Sequence, residues 1–267
     1  MATPTQPKLR LKDRRRKLMQ VKVVAGTAVV LASLALLFYV SRLPAFTIRT
    51  ITVSGTNIVN AADIQKVAYD KLAGSYAFII PRDNGIVAPV SNVRGAILAA
   101  FPPVADVSIA RQNLTALDIK VTERKPAALW CSTPAESPTA SCYAVDSGGF
   151  IFVKDPGDPT LVRYYGMIEG EPIGTRYLNG NFRPLSQTVA DIAASLNRTP
   201  ETVSVDPQGN VALDFKEGGE LRFTESANRQ LMMEDIASVF ASEDFKTHPQ
   251  FEYVDFRFGD KVYVKFK

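Results

Sequence analysis

The hydrophobic pattern opens with nineteen residues that carry no charge, 23–41, dominated by Val, Ala and Leu and ending in Phe38-Tyr39-Val40-Ser41. At ~1.5 Å per residue, a helix of that length spans about 28 Å, close to the ~30 Å of hydrocarbon in a bilayer. A helix satisfies its own backbone hydrogen bonds, so such a run can cross lipid. The alternative is a cleaved signal peptide, whose apolar stretch is usually ~7–15 residues. This run is longer, and the residues around Arg42 make a poor small-residue cleavage site. The expectation is one uncleaved transmembrane helix over 23–41.

From residue 46 the period shortens. Phe46, Ile48, Ile51 and Val53, with Thr50 and Thr52 between them, make a strand stopped by Ser54-Gly55-Thr56. Asn60 with Asp63 three residues on is a helix N-terminus signal. Ile64, Val67, Ala68 and Leu72 then fall at helical spacing, and Gly74 ends the run. After an apolar patch at 77–80, a second helix over 92–100 presents Val93, Ile97 and Leu98, with Phe101 just beyond, and breaks at Pro102-Pro103. Two alternating segments follow, 104–111 with Val107 and Ile109, and 114–123 with Leu117, Ile119 and Val121. They read as a hairpin around Gln112-Asn113. The order is β-α-α-β-β, with both helices on one face of a small sheet.

Residues 124–267 are richer in strands: 127–131, 142–145, 150–154, 161–168, 202–205, 211–216 and 220–224. Turns at 146–149, 206–210 and 217–219 separate several of them. One helix is expected near 186–196. A second runs to about 241, capped by Ser226 and burying Leu231, Ile236, Val239 and Phe240. Strands 251–258 and 261–267 finish the chain, joined at Gly259-Asp260. The class is α+β: a transmembrane helix, a β-α-α-β-β domain over 46–123, and a strand-rich domain with two helices over 124–267.

Charge adds sidedness. The 267 residues carry a net +4, yet residues 1–22 alone hold eight Lys and Arg against one acid, leaving the remainder slightly acidic. A globally basic nucleic-acid binder is therefore disfavoured. By the positive-inside rule, the basic tail 1–22 faces the cytoplasm and everything after the span lies outside. The only two cysteines, Cys131 and Cys142, flank a stretch rich in Ser, Thr and Pro between two short strands. Outside the cytoplasm they are disulfide candidates, with two free buried thiols as the alternative.

The whole of 20–267 resembles the FtsQ/DivIB family of bacterial cell-division proteins. The stretch 46–55 (FTIRTITVSG) is similar to the opening of that family's POTRA domain. Phe101-Pro102-Pro103-Val104, then 107–111 (VSIAR) and 121–130 (VTERKPAALW), resemble its hairpin and domain junction. Segments 143–152 and 253–265 resemble its strand-turn-strand and its C-terminal hairpin. Asn113, where the family often has proline, and the Cys131–Cys142 insertion depart from the pattern. The resemblance implies a non-enzymatic divisome scaffold of the plasma (inner) membrane at the septum. Such a scaffold joins FtsB and FtsL and links them to FtsW and FtsI. Its POTRA domain aids recruitment, and its last strand region receives FtsB. Carried onto this chain, the partner-binding residues are Arg257, Phe258, Asp260, Val262, Tyr263, Val264 and Lys265.

Physical reasoning about the last strand points the same way. A final strand with no successor is expected at a sheet edge, where free N–H and C=O groups template a partner strand. Val262, Val264 and Phe266 should share one face, with Lys261, Tyr263, Lys265 and Lys267 on the other. The bland alternative is plain core on one face and aggregation-blocking lysines on the other.

Enzyme chemistry finds little support. One histidine, His248, sits in a polar stretch beside Pro249, and no HExxH, Walker-type or glycine-rich nucleotide motif occurs. Asp155, Asp158, Glu169 and Glu171 could be imagined as paired glycosidase carboxylates, but surface loops are routinely acidic. Trp130, Tyr164 and Tyr165 suggest packing before glycan stacking. No metal, cofactor, nucleic acid or small-molecule substrate is expected. The alternatives carried forward are a membrane-anchored wall-binding or wall-processing protein and a POTRA-bearing translocation component.

Overall fold

The computed structural model describes residues 11–132, 141–259 and 261–267. The first helix, α1 (Leu11–Ser41), runs unbroken from the basic tail through the uncharged run. It is long and apolar enough to cross a membrane once, and its most apolar stretch is nowhere buried by the rest of the chain. Two hydroxyls in the middle of the apolar run are satisfied internally: Thr27 Oγ1 donates to the Val23 carbonyl and Ser33 Oγ to that of Val29, each at 2.9 Å.

Two compact units follow from the contacts. The first comprises residues up to Ala100 together with Asp106–Thr122, the second Phe101–Ala105 together with Glu123–Lys267. In the first unit, β1 (Thr50–Ser54) leads to α2 (Ala61–Leu72), a small hairpin of β2 (Ser75–Tyr76) and β3 (Ile80–Pro81), then α3 (Val90–Ala100), β4 (Val104–Asn113) and β5 (Ala116–Glu123). The sheet order is β1-β5-β4, with β1 parallel to β5 from Thr50 opposite Ala116 to Ser54 opposite Lys120.

Asn60 caps α2, its Oδ1 accepting from the Ala62 N–H at 2.9 Å, and the buried stripe is Ile64, Ala68 and Leu72. Val93 and Ile97 of α3 join Ile51, Leu117 and Ile119 in the core. Gly55 has φ +82 and a Cβ there would sit 2.1 Å from the Val121 carbonyl oxygen, so both the turn and the close approach demand glycine. The β4–β5 turn falls at Leu114-Thr115 instead of Gln112-Asn113. The reason is local: Asn113 Oδ1 accepts from the Thr115 N–H and hydroxyl at 2.8 and 2.9 Å, which places Asn113 at the start of the turn.

The second unit is one nine-stranded mixed sheet. Its strands are β6 (Ala128–Cys131), β7 (Cys142–Val145), β8 (Ile151–Lys154), β9 (Arg163–Tyr165), β10 (Pro200–Val205), β11 (Asn210–Phe215), β12 (Glu220–Thr224), β13 (Phe251–Phe258) and β14 (Lys261–Phe266). Spatially they run β14-β13-β12-β11-β10-β9-β6-β7-β8. The helices are α4 (Phe182–Leu196), α5 (Arg229–Phe240) and the short α6 (Glu243–Thr247), one more than the sequence pattern suggests.

The main core joins Trp130, Tyr164, Tyr177 and Phe182 to Val203, Leu213, Leu221, Phe223 and Ile236. Trp130 Nε1 donates to the Gly166 carbonyl at 3.1 Å and Tyr177 Oη to that of Tyr165 at 2.9 Å, so these two buried rings have their polar tips paired. Two expectations about α5 are corrected. Its cap is Asn228, whose Oδ1 accepts from Gln230 and Leu231, not Ser226. Leu231 is 58% exposed, because the inward stripe runs through Met232 and Ile236 four residues apart and leaves position 231 about 100° off it.

Arg124 ties the start of this unit together. Its Nε donates to the Pro102 carbonyl at 3.0 Å, its Nη1 pairs with Asp146 at 2.5 Å, and its guanidinium lies 4.1 Å from the Phe150 ring centre. Cys131 and Cys142 sit directly opposite on the antiparallel pair β6–β7 and are joined by a disulfide. Cross-linking positions eleven apart in sequence removes loop freedom from the unfolded chain. Replacing both cysteines with serine is expected to lower unfolding stability by about 2–3 kcal/mol, read as an earlier denaturation midpoint. A midpoint that does not move would show that the bond contributes no net stability.

Candidate partner-binding edge

Backbone pairing sets the geometry here. Among the described residues β14 pairs only with β13 and forms one margin of the nine-stranded sheet. Lys267 N–H donates to the Gln250 carbonyl, toward β13, at 3.2 Å. Backbone groups alternate in direction along an antiparallel strand, so Lys261, Tyr263 and Lys265 also turn theirs inward. Val262, Val264 and Phe266 turn theirs outward, away from the sheet.

The opposite margin is treated differently. At the start of β8, Ile151 N–H donates to the Thr175 carbonyl and the Ile151 carbonyl accepts from Gly174 N–H, both at 2.9 Å. Beside them Tyr177 N–H reaches the Gly149 carbonyl at 2.8 Å, and Phe150 bridges Arg176. A loop thus covers part of one edge.

Side chains on β14 divide by face. Val262, Val264 and Phe266 pack, half-buried, onto the cluster of Phe245, Phe251 and Val254. Phe266 meets Phe245 edge-on at 5.0 Å, and the His248 ring lies 5.5 Å away. On the outer face Tyr263 is 51% exposed and stacks edge-on with Phe258, itself 54% exposed, at 5.1 Å. A register shift between Asp255 and Phe258 accompanies this meeting, with Asp255 opposite Tyr263 and Phe258 opposite Lys261. Lys265 Nζ lies 2.7 Å from Glu252. Asp260 lies outside the described residues.

Arg257 is engaged within its own strand. Its Nε and Nη2 grip Asp255 at 2.9 and 2.7 Å, and its backbone N–H adds a third bond at 3.1 Å. Asp255 is 3% exposed. Burial pushes its carboxyl up, but the hydrogen bonds from Arg257 and the charges of Arg257 and Arg222 outweigh that and hold it below the usual carboxylate range.

The sequence reading missed the neighbours that extend this face across β12: Arg222, bonded to Glu220, lies 4.3 Å over the Tyr253 ring. The alternation Glu220-x-Arg222 and Asp255-x-Arg257 was the available signal, since residues two apart share a strand face. Elsewhere, Asp155 and Asp158 are turn builders, accepting from Gly157 N–H and from the Thr160 N–H and hydroxyl. Among the described residues no group of three or more His, Cys, Asp and Glu is placed to hold a metal.

A folded-state carboxyl pKa below the unfolded one contributes stability above the unfolded value, ~3.9, and loses it as pH falls through the lower folded value. Asp255→Asn is accordingly expected to cost about 2 kcal/mol near neutrality, since it leaves the Arg257 charge without its counterion. The variant should also unfold with a weaker dependence on pH below about 4 than the parent chain. Parallel acid-denaturation curves would show that Asp255 is not responsible.

Residues 46–124 match the family model described as the POTRA domain, FtsQ-type. No curated protein matches the chain. With an apolar N-terminal helix before that domain and a strand-rich unit after it, the match supports assigning the chain to the FtsQ/DivIB family of cell-division proteins.

Proposed function

We propose that the chain is a bitopic scaffold of the bacterial divisome. In this reading residues 1–22 are cytoplasmic, 23–41 span the plasma (inner) membrane, 46–123 form the POTRA domain used in recruitment, and 124–267 form the partner-binding domain at the septum. An FtsB-like protein adds a strand to β14, FtsL joins it, and the assembly is linked to FtsW and FtsI. The cysteine pair stabilises the extracytoplasmic body. The FtsQ-type POTRA match supports a divisome role, and FtsQ-type proteins act as scaffolds rather than as known enzymes.

The observation that carries the docking mode is the outward backbone of Val262, Val264 and Phe266 on a sheet margin. Main-chain bonds give such a site affinity, and the exposed Phe258–Tyr263 pair, with Lys265 beside it, offers side-chain discrimination. Arg257 precedes that pair in sequence, and Asp260 falls between its two members.

The register selects the test. Val264 points its N–H outward, so Val264→Pro removes a docking donor without removing a bond to β13. A charge at the same position would instead disturb the cluster around Phe251. Val264→Pro is expected to reduce co-purification with FtsB and FtsL at least about tenfold, while the lost valine packing lowers stability by about 1 kcal/mol. Undiminished capture by a folded Val264→Pro chain would remove strand addition at β14. Capture of neither protein by the parent chain, set against retention on purified peptidoglycan, would favour a wall-binding role.

A further inference from the structure

Bulky apolar groups gather beside the end of α1. In the three-residue loop between β2 and β3, Ala77 and Phe78 both adopt left-handed backbone, φ 46 and 63, a conformation that costs non-glycine residues energy. Its result is a phenylalanine 89% exposed at the loop tip. Ile86 and Val87 are also exposed, as is Leu114, whose carbonyl lies against the Gly85 backbone.

These segments are stitched to the last turn of α1. Arg42 donates to the Ile79 carbonyl at 2.5 Å and the Phe78 carbonyl at 3.4 Å, while its guanidinium sits 3.6 Å over the Phe38 ring. Buried Asn84 donates to the Ser41 carbonyl at 2.9 Å and accepts from the Ile86 N–H at 3.0 Å. The loop tip is thereby held level with Phe38–Arg42, where the apolar run ends. Cations accompany it: Arg42 itself, and Arg82, 5.5 Å from the Tyr76 ring.

We propose that this rim of Phe78, Ile86, Val87 and Leu114 rests in the interfacial layer of the leaflet into which the C-terminal end of α1 emerges, with Arg42 and Arg82 facing lipid phosphates. It rests on the reading of α1 as a membrane span. Apolar side chains at that depth are removed from water, and aromatic and basic groups favour the headgroup level. The strained turn is then explained by what it presents. The contact adds to the bonds from Arg42 and Asn84 in setting the tilt of the first unit on the bilayer.

The test uses the full chain in vesicles of phosphatidylethanolamine and phosphatidylglycerol, with a nitroxide near the glycerol end of the acyl chains. Both native cysteines are disulfide-bonded, so one added thiol takes a single fluorophore. Labels are placed through Phe78→Cys and Ile86→Cys at the rim, Leu31→Cys within the span, and Lys120→Cys, roughly 13 Å along β5 from the Ala116 end. Nitroxide quenching at 78 and 86 is expected to exceed that at 120 about threefold or more, with matching protection from aqueous iodide. With 31 shielded from iodide and 78 and 86 quenched no more than 120, the rim contact is wrong and the span stands. If 31 is open to iodide, span and rim contact fall together.

Discussion

Main-chain polar groups have to be paired, and most of this architecture follows from where that pairing is completed and where it is left open. α1 completes it within one helix and folds even the hydroxyls of Thr27 and Ser33 back onto its own carbonyls. The first unit pairs it in a small sheet with β1 and β4 at its margins and adds local caps, such as Asn60 on α2 and Asn113 at the β4–β5 turn. The nine-stranded sheet completes it along seven interior strands and at part of β8, but not along β14.

β14 reconciles two demands by assigning them to different directions. Its inward-facing side chains belong to the core around Phe245 and Phe251, which holds the strand in place without a second neighbour. Its outward backbone and its outer face remain available. β13 supports this from behind: Asp255 and Arg257 form a closed pair, so the charge on the strand behind the margin is compensated. What stays exposed at the tip is the aromatic contact of Phe258 with Tyr263. This surface offers aromatic area and backbone polarity beside exposed lysines, of which Lys265 is paired with Glu252.

Much of this was legible in the chain because the signals were local and periodic. Asn60 and Asp63 marked the start of α2, alternation marked β4 and β5, and an uncharged run marked the span. Errors arose where two residues could satisfy the same local rule. Ser226 and Asn228 are both competent caps by residue type, and it is Asn228 that accepts from Gln230 and Leu231, on a helix that buries Met232 and Ile236. Gln112-Asn113 reads as a turn, yet Asn113 begins that turn by accepting from Thr115. Contacts distant in sequence left no periodic trace: Arg222 over Tyr253, the cover over β8 by residues near 175, and the tie of Arg42 to the Phe78 loop. The outer-face aromatic pair was half visible, since Phe258 and Tyr263 were both singled out, but their meeting accompanies a register shift that alternation alone does not contain.

The unequal margins of the large sheet carry a consequence for self-association. Head-to-tail growth of a fibril through edge pairing needs a donor side and an acceptor side on every copy, and here the β8 side is partly occupied by the chain itself. Joining of one copy's β14 onto the covered start of another's β8 is therefore blocked. Self-association by that route would have to find the uncovered end of β8, which narrows the ways in which copies could chain together.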